Sequence, residues 1–145
     1  TNSTIRILIM SNPKFIPSTQ LIVDGDIYNL RLDRYKRIQL ENEYNMNVKR
    51  HYSMMCVNGN VVNEYQFAAI FWTLLRGGGQ KVSKERACDI IEEAVNAEDC
   101  GFVKLFESVL EALSAAFMNE EQFKEYKRLI EVYKSAESED DTQKK

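Results

Sequence analysis

Gln20-Leu21-Ile22-Val23, then Asp24-Gly25, then Asp26-Ile27-Tyr28-Asn29-Leu30-Arg31-Leu32 is the stretch on which the fold class turns. Asp-Gly tolerates the positive φ angles of a tight two-residue turn and stands between two β-prone runs, so the spacing predicts a β-hairpin. Past the turn, Tyr28, Leu30 and Leu32 alternate with Ile27, Asn29 and Arg31, giving the second strand one apolar face. Upstream, the apolar run at residues 5–10 is cut off by Asn12-Pro13 and Ile16-Pro17. Proline forces extended geometry on the residue before it, and an edge strand is expected there.

Helical periodicity takes over downstream. Asp33 is placed to cap a helix from Arg34 to near Asn45, with Tyr35, Ile38 and Asn42 on one stripe and Arg34, Lys36, Arg37, Glu41 and Glu43 toward water. Residues 46–63 fit either a second hairpin around Asn58-Gly59 or a loop into the next helix. Asn63 and Gln66 form a capping pair that opens a helix over 64–76, apolar nearly all round and so expected at the centre of the molecule. Gly77-Gly78-Gly79 stops it. Ser83 caps a helix whose Ala87, Ile90, Ile91, Ala94 and Val95 oppose Lys84, Glu85, Asp89, Glu92 and Glu93.

After a break at 99–101, Phe102, Leu105, Phe106, Val109, Leu110, Leu113 and Phe117 recur at spacings of three and four, a third core helix. Asn119 and Gln122 repeat the capping pair before a last helix with the stripe Phe123, Tyr126, Ile130 and Tyr133. From Ser135 onward apolar residues run out, which predicts a disordered polar tail over 135–145. The expected fold is therefore α+β, mainly α. An N-terminal β-hairpin or small antiparallel sheet packs with about five helices in one domain over residues 1–134.

With 145 residues, 44% of them hydrophobic and 28% charged, the chain has the composition of a globular protein and excludes wholesale disorder and fibrous repeats. No apolar run approaches the roughly 18 residues of a membrane span, and no signal-peptide pattern opens the chain, which predicts an intracellular protein. Cys56, Cys88 and Cys100 are too widely spaced for a disulfide framework or a zinc site, and are expected as buried free thiols. His51 has no Cys or His near it in sequence, so no metal or cofactor is expected. Residues 1–80 carry nine Lys/Arg against six Asp/Glu, and residues 81–145 ten against sixteen, so the halves differ as +3 and −6.

Four constellations invite a chemical reading. The stretch from Arg76 through Gly77-Gly78-Gly79 to Lys81 and Ser83 has the parts of an anion cradle, but its spacing is wrong and a helix precedes it where a nucleotide loop needs a strand. Residues 64–96 can be drawn as a helix-turn-helix, yet Glu85, Asp89, Glu92 and Glu93 on the second helix would repel phosphate. Arg34, Lys36, Arg37, Lys49, Arg50 and His51, with Tyr35 and Tyr52, make the best basic-aromatic cluster, and a charged helix face explains it more simply than a nucleic-acid site. No nucleophile, acid–base pair or cofactor motif is present, so no catalytic activity is expected. The Phe123, Tyr126, Ile130, Tyr133 stripe either closes the core or lies on a partner, and its tyrosines suit a rim.

The order of parts resembles a known family. Ile27-Tyr28-Asn29-Leu30-Arg31-Leu32-Asp33, Ile38-Gln39-Leu40-Glu41, Phe71-Trp72-Thr73-Leu74-Leu75-Arg76, Val82-Ser83-Lys84-Glu85, Ile90-Ile91-Glu92-Glu93 and Val109-Leu110-Glu111-Ala112-Leu113 with Ala116-Phe117 follow one another as in the tail assembly chaperones of long-tailed bacteriophages. The similarity spans about residues 20–118, and residues 46–62 depart from it. It implies a non-enzymatic α+β protein of the host bacterial cytoplasm that shields the tape measure protein, keeps it soluble and helps recruit tail tube subunits. It also implies several copies per client, hence self-association, and a longer frameshifted product joined near Lys144-Lys145. The family supplies no residue list. The surfaces expected to meet the partner, chosen by pattern, are Phe123, Tyr126, Ile130 and Tyr133, with the adaptable Met54 and Met55 and nearby Val57. The competing expectation is a small phage or mobile-element DNA-binding or regulatory protein using the basic cluster.

Overall fold

The structure, a computed structural model, describes residues 16–61 and 63–143, with side chains described as far as residue 136. Two strands, β1 (Thr19–Val23) and β2 (Asp26–Leu30), are followed by six helices. These are α1 (Arg34–Tyr44), α2 (Val48–Asn58), α3 (Glu64–Gly77), α4 (Lys84–Asn96), α5 (Gly101–Phe117) and α6 (Glu120–Gln143). The fold is α+β and mainly α. The edge strand expected at residues 5–10 lies outside the described residues.

β1 and β2 pair antiparallel, Thr19 opposite Leu30 and Val23 opposite Asp26. Asp24 (φ 50°) and Gly25 (φ 84°) turn the chain in the left-handed region that the Asp-Gly pair favours. One face of the hairpin, Thr19, Leu21, Val23, Tyr28 and Leu30, continued by Leu32, is buried, while the cross-strand pair Ile22 and Ile27 faces out. The buried face lies on α3 and α5.

α3 is the central element, touching α1, α4, α5 and β2. Phe67, Ala69, Ile70, Phe71, Thr73, Leu74 and Leu75 are all buried on it. Thr73 is tolerated there because its hydroxyl donates to the Ala69 carbonyl one turn back, at 2.9 Å. The C-terminus of α3 seals the outer edge of β2. Arg31 N–H donates to the Leu74 carbonyl at 3.0 Å, and Gly77 and Gly78 sit so close to the Arg31 and Asn29 carbonyls that a Cβ on either would overlap them. The glycine run thus serves close approach of backbone to backbone as well as helix termination.

Three expectations are corrected. Residues 48–58 are helix, neither hairpin nor loop, capped by Asn47 and ended by Gly59 at φ 65°; this is the sixth helix. Val48, His51 and Met55 are its buried stripe, and their i, i+3, i+7 spacing is helical, hidden in the sequence by the apolar cluster beside it. On α1, Tyr35 and Ile38 face solvent, because the helix packs through Leu40 and Tyr44, with Arg37 and Glu41 half-buried between them. The last helix runs on past Ser135, where a polar tail was expected, through Gln143, a stretch that contains neither Gly nor Pro.

The cysteines are free as expected, but Cys56 and Cys88 are exposed and Cys100 is half-buried. Position on a helix face outweighs the residue's general preference for burial.

Candidate functional site

α6 begins with a reciprocal capping box: Gln122 N–H donates to Asn119 Oδ1 at 2.8 Å and Asn119 N–H to Gln122 Oε1 at 3.0 Å. Only Met118 and Asn119 separate it from α5, so the chain doubles back. Lys134 Nζ, late in α6, reaches Glu107 Oε2, early in α5, at 3.8 Å, as an antiparallel pair requires.

The first turns of α6 are anchored. Phe123 and Tyr126 are half-buried with their rings stacked at 6.2 Å. Beneath them lies a polar node shared by three helices. The Ser114 hydroxyl, buried on α5, is 2.7 Å from the Tyr52 hydroxyl of α2, and Tyr126 lies close enough to feel its dipole. Tyr52 also packs on Phe117, with centroids 5.5 Å apart. Burial pushes the Tyr126 phenol up to about 12, with the Ser114 contact opposing the shift.

Past Tyr126 the helix rises out of the core. Ile130 is 37% exposed and Tyr133 63%, and beside them Leu129 and Val132 are also exposed. None of these is in the core, and together they give the second half of α6 an accessible apolar flank. A groove of about 390 Å³ lies between β1, α5 and α6 and meets α6 at Tyr126, Ile130 and Lys134, so that Ile130 alone of the flank lines it. Leu21 and Ile22 of β1, Leu110 of α5, and Tyr126 and Ile130 of α6 contribute its apolar lining, and Lys104, Glu107 and Lys134 add charge.

The expected stripe is therefore divided: Phe123 and Tyr126 are half-buried, whereas Ile130 and Tyr133 are exposed. Leu129 and Val132 were missed by the sequence reading. They fall between the positions of the stripe and share a helix side at i, i+3 spacing, which was a usable signal. Of the α2 residues, Met54 (38%) and Val57 (84%) are exposed and share one side, but Met55 is fully buried and belongs to the core. Adjacent residues on a helix point about 100° apart, so Met54 and Met55 could not both face a partner. α2 and α6 both pack on α5.

The other constellations dissolve on folding. Lys36 and Arg37 pair with Asp33 at 3.7 Å and Glu41 at 2.8 Å, His51 turns into the core, and Tyr52 is taken by Ser114, which leaves Arg34, Lys49 and Arg50 as the exposed basic members of the cluster. In the glycine run, Gly78 and Gly79 N–H groups donate to the Leu74 and Arg76 carbonyls, leaving no cradle of free donors. Trp72 instead gathers the cations, with Arg76 4.5 Å and Lys84 5.0 Å from its ring. Lys84 also binds Glu43 at 2.9 Å. Among the described residues no group of His, Cys, Asp and Glu could hold a metal ion, and no helix is long and apolar enough to cross a membrane.

The chain matches no protein-family profile, no curated protein and no solved structure.

Proposed function

We propose that this protein is a tail assembly chaperone of the long-tailed bacteriophage kind, acting without catalysis in the host bacterial cytoplasm. It covers apolar helix stripes of a tape measure protein, keeps that client soluble and helps bring in tail tube subunits. The observation that carries the reading is the second half of α6, where Leu129, Ile130, Val132 and Tyr133 stand exposed and Ile130 lines a groove, while Phe123 and Tyr126 nearer the helix start are half-buried. An amphipathic helix laid along a groove is a common way to hold another helix, and the exposed Met54 and Val57 offer adaptable area nearby. The resemblance in the order of motifs over residues 20–118 supports the same reading.

Co-expression with the tape measure protein of the same phage tests it. The expected result is copurification, with the long partner soluble only beside this chain. The Ile130→Ser/Tyr133→Ser double variant, still folded by circular dichroism, is expected to lose the partner. A client that neither binds nor gains solubility removes the chaperone reading, and binding to duplex DNA at low salt, steeply lost on adding salt, would put a DNA-binding protein in its place.

A further inference from the structure

His51 sits in the middle of the stripe by which α2 is held to the rest of the molecule, between Val48 and Met55, both fully buried. A leucine would satisfy that position; instead the core receives an imidazole that is 5% exposed. Its Nδ1 lies 3.2 Å from Gln66 Oε1 on α3, and with an amide oxygen as the partner the ring proton is assigned to Nδ1. Nε2 is then a bare lone pair, and among the described residues nothing donates to it. Gln66 shows the same commitment: its N–H is capped by Asn63 at 2.9 Å, but its side chain reaches His51 rather than completing a capping box as Gln122 does.

We infer that α2 is an acid-released helix: protonation of His51 at Nε2 places an unpaired cation in the seam between α2 and α3, and α2 leaves the core. A buried charge without a partner costs considerably more than a neutral acceptor left unpaired in the same place.

Among the described residues no countercharge is committed to the ring. On α2 itself Lys49 and Arg50 are exposed, Tyr52 is bonded to Ser114 and Cys56 is exposed. From α3 the ring meets the neutral Gln66 amide, with Glu64 and Tyr65 exposed at the helix start. On α1, Glu41 is spent on Arg37 and on the Val48 N–H, at 2.8 and 2.9 Å. On α5, Ser114 is bonded to Tyr52 and Glu111 acts on Tyr126. Burial accordingly holds the imidazole below its ordinary 6.5, partly offset by Gln66. The sign follows. Below 6.5 the unfolded chain binds a proton that the packed state refuses, so the hold on α2 is complete at neutral pH and weakens as pH falls. Release frees Tyr52 from Ser114, the hydrogen bond that links α2 to α5.

The inference does not rest on the chaperone reading, because its test observes α2 and not a client. His51 is the sole histidine, so its ring resonances are unambiguous in the full chain. Hydrogen exchange, corrected for intrinsic rates, is followed between about pH 7.5 and about pH 5 alongside the imidazole titration. Protection of the α2 amides is expected to fall about tenfold or more in step with that titration while α3 keeps its own. In His51→Leu, or in His51→Gln should the first variant not fold, α2 is expected to stay protected throughout. Protection that does not change with pH in the unaltered protein, or a loss that persists in the variants, overturns the inference.

Discussion

Asp99 shows how a single side chain far along the chain completes a local motif. It lies in the connection between α4 and α5, and its two carboxylate oxygens accept the Asp24 and Gly25 N–H groups of the hairpin turn at 2.8 and 2.9 Å. Those two backbone donors hold its carboxyl below the 3.8 of an ordinary aspartate. The Asp99→Ala variant is expected to melt at a lower temperature than the native chain near neutral pH. The difference should shrink as pH falls below 3.8 and through the folded-state value, because the unfolded chain takes up the proton first. Thermal melts of both proteins from about pH 6 to about pH 2 check this; a gap that stays constant would mean that Asp99 acts without its charge. Asp99 looked like part of a helix break in sequence, since its partners are 74 and 75 residues away.

Among the elements, the junction of α3 with β2 is the least tolerant of change. Gly78→Ala would drive a methyl group into the Asn29 carbonyl, which is backbone and has no rotamer to retreat to. A loss of about 1–3 kcal/mol is expected, read by urea unfolding. Gly79→Ala, with open space around its would-be Cβ, meets only its φ of 97° and serves as the comparison. α6 is the opposite case. It is the longest helix, yet every one of its described side chains is half-buried or exposed. Its Asn119–Gln122 box was legible because both partners lie within one turn. Which of its apolar residues anchor and which remain accessible was not, since periodicity places residues on a side of a helix without saying where the body beneath that side ends.

For the molecule as a whole, one buried cluster joins the hairpin to α1–α5, and Leu113 of α5 is fully buried in it. Leu113→Ala is expected to cost about 2–5 kcal/mol. Trp72, the only tryptophan, reports it: the indole N–H donates to the Val82 carbonyl at 2.8 Å, and unfolding should shift its emission to the red. An unfolding midpoint unchanged from the native chain would mean that α5 is not a core element.

The chain's own local chemistry specifies the hairpin through Asp24-Gly25 and the helix starts through Asp33, Asn63, Ser83 and Asn119, each of which caps a helix as its spacing promised. These features depend on residues within one turn of each other, so a linear reading contains all the partners. Packing assigned the rest. It made residues 48–58 a helix, sent Met55 and His51 inward while leaving Met54 and Val57 outside, exposed Cys56 and Cys88, and split the α6 stripe into anchor and accessible flank. In each case the deciding contact comes from a distant element, as with Ser114 under Tyr52, 62 residues away. Burial is a property of what lies opposite a side chain, which sequence periodicity does not encode.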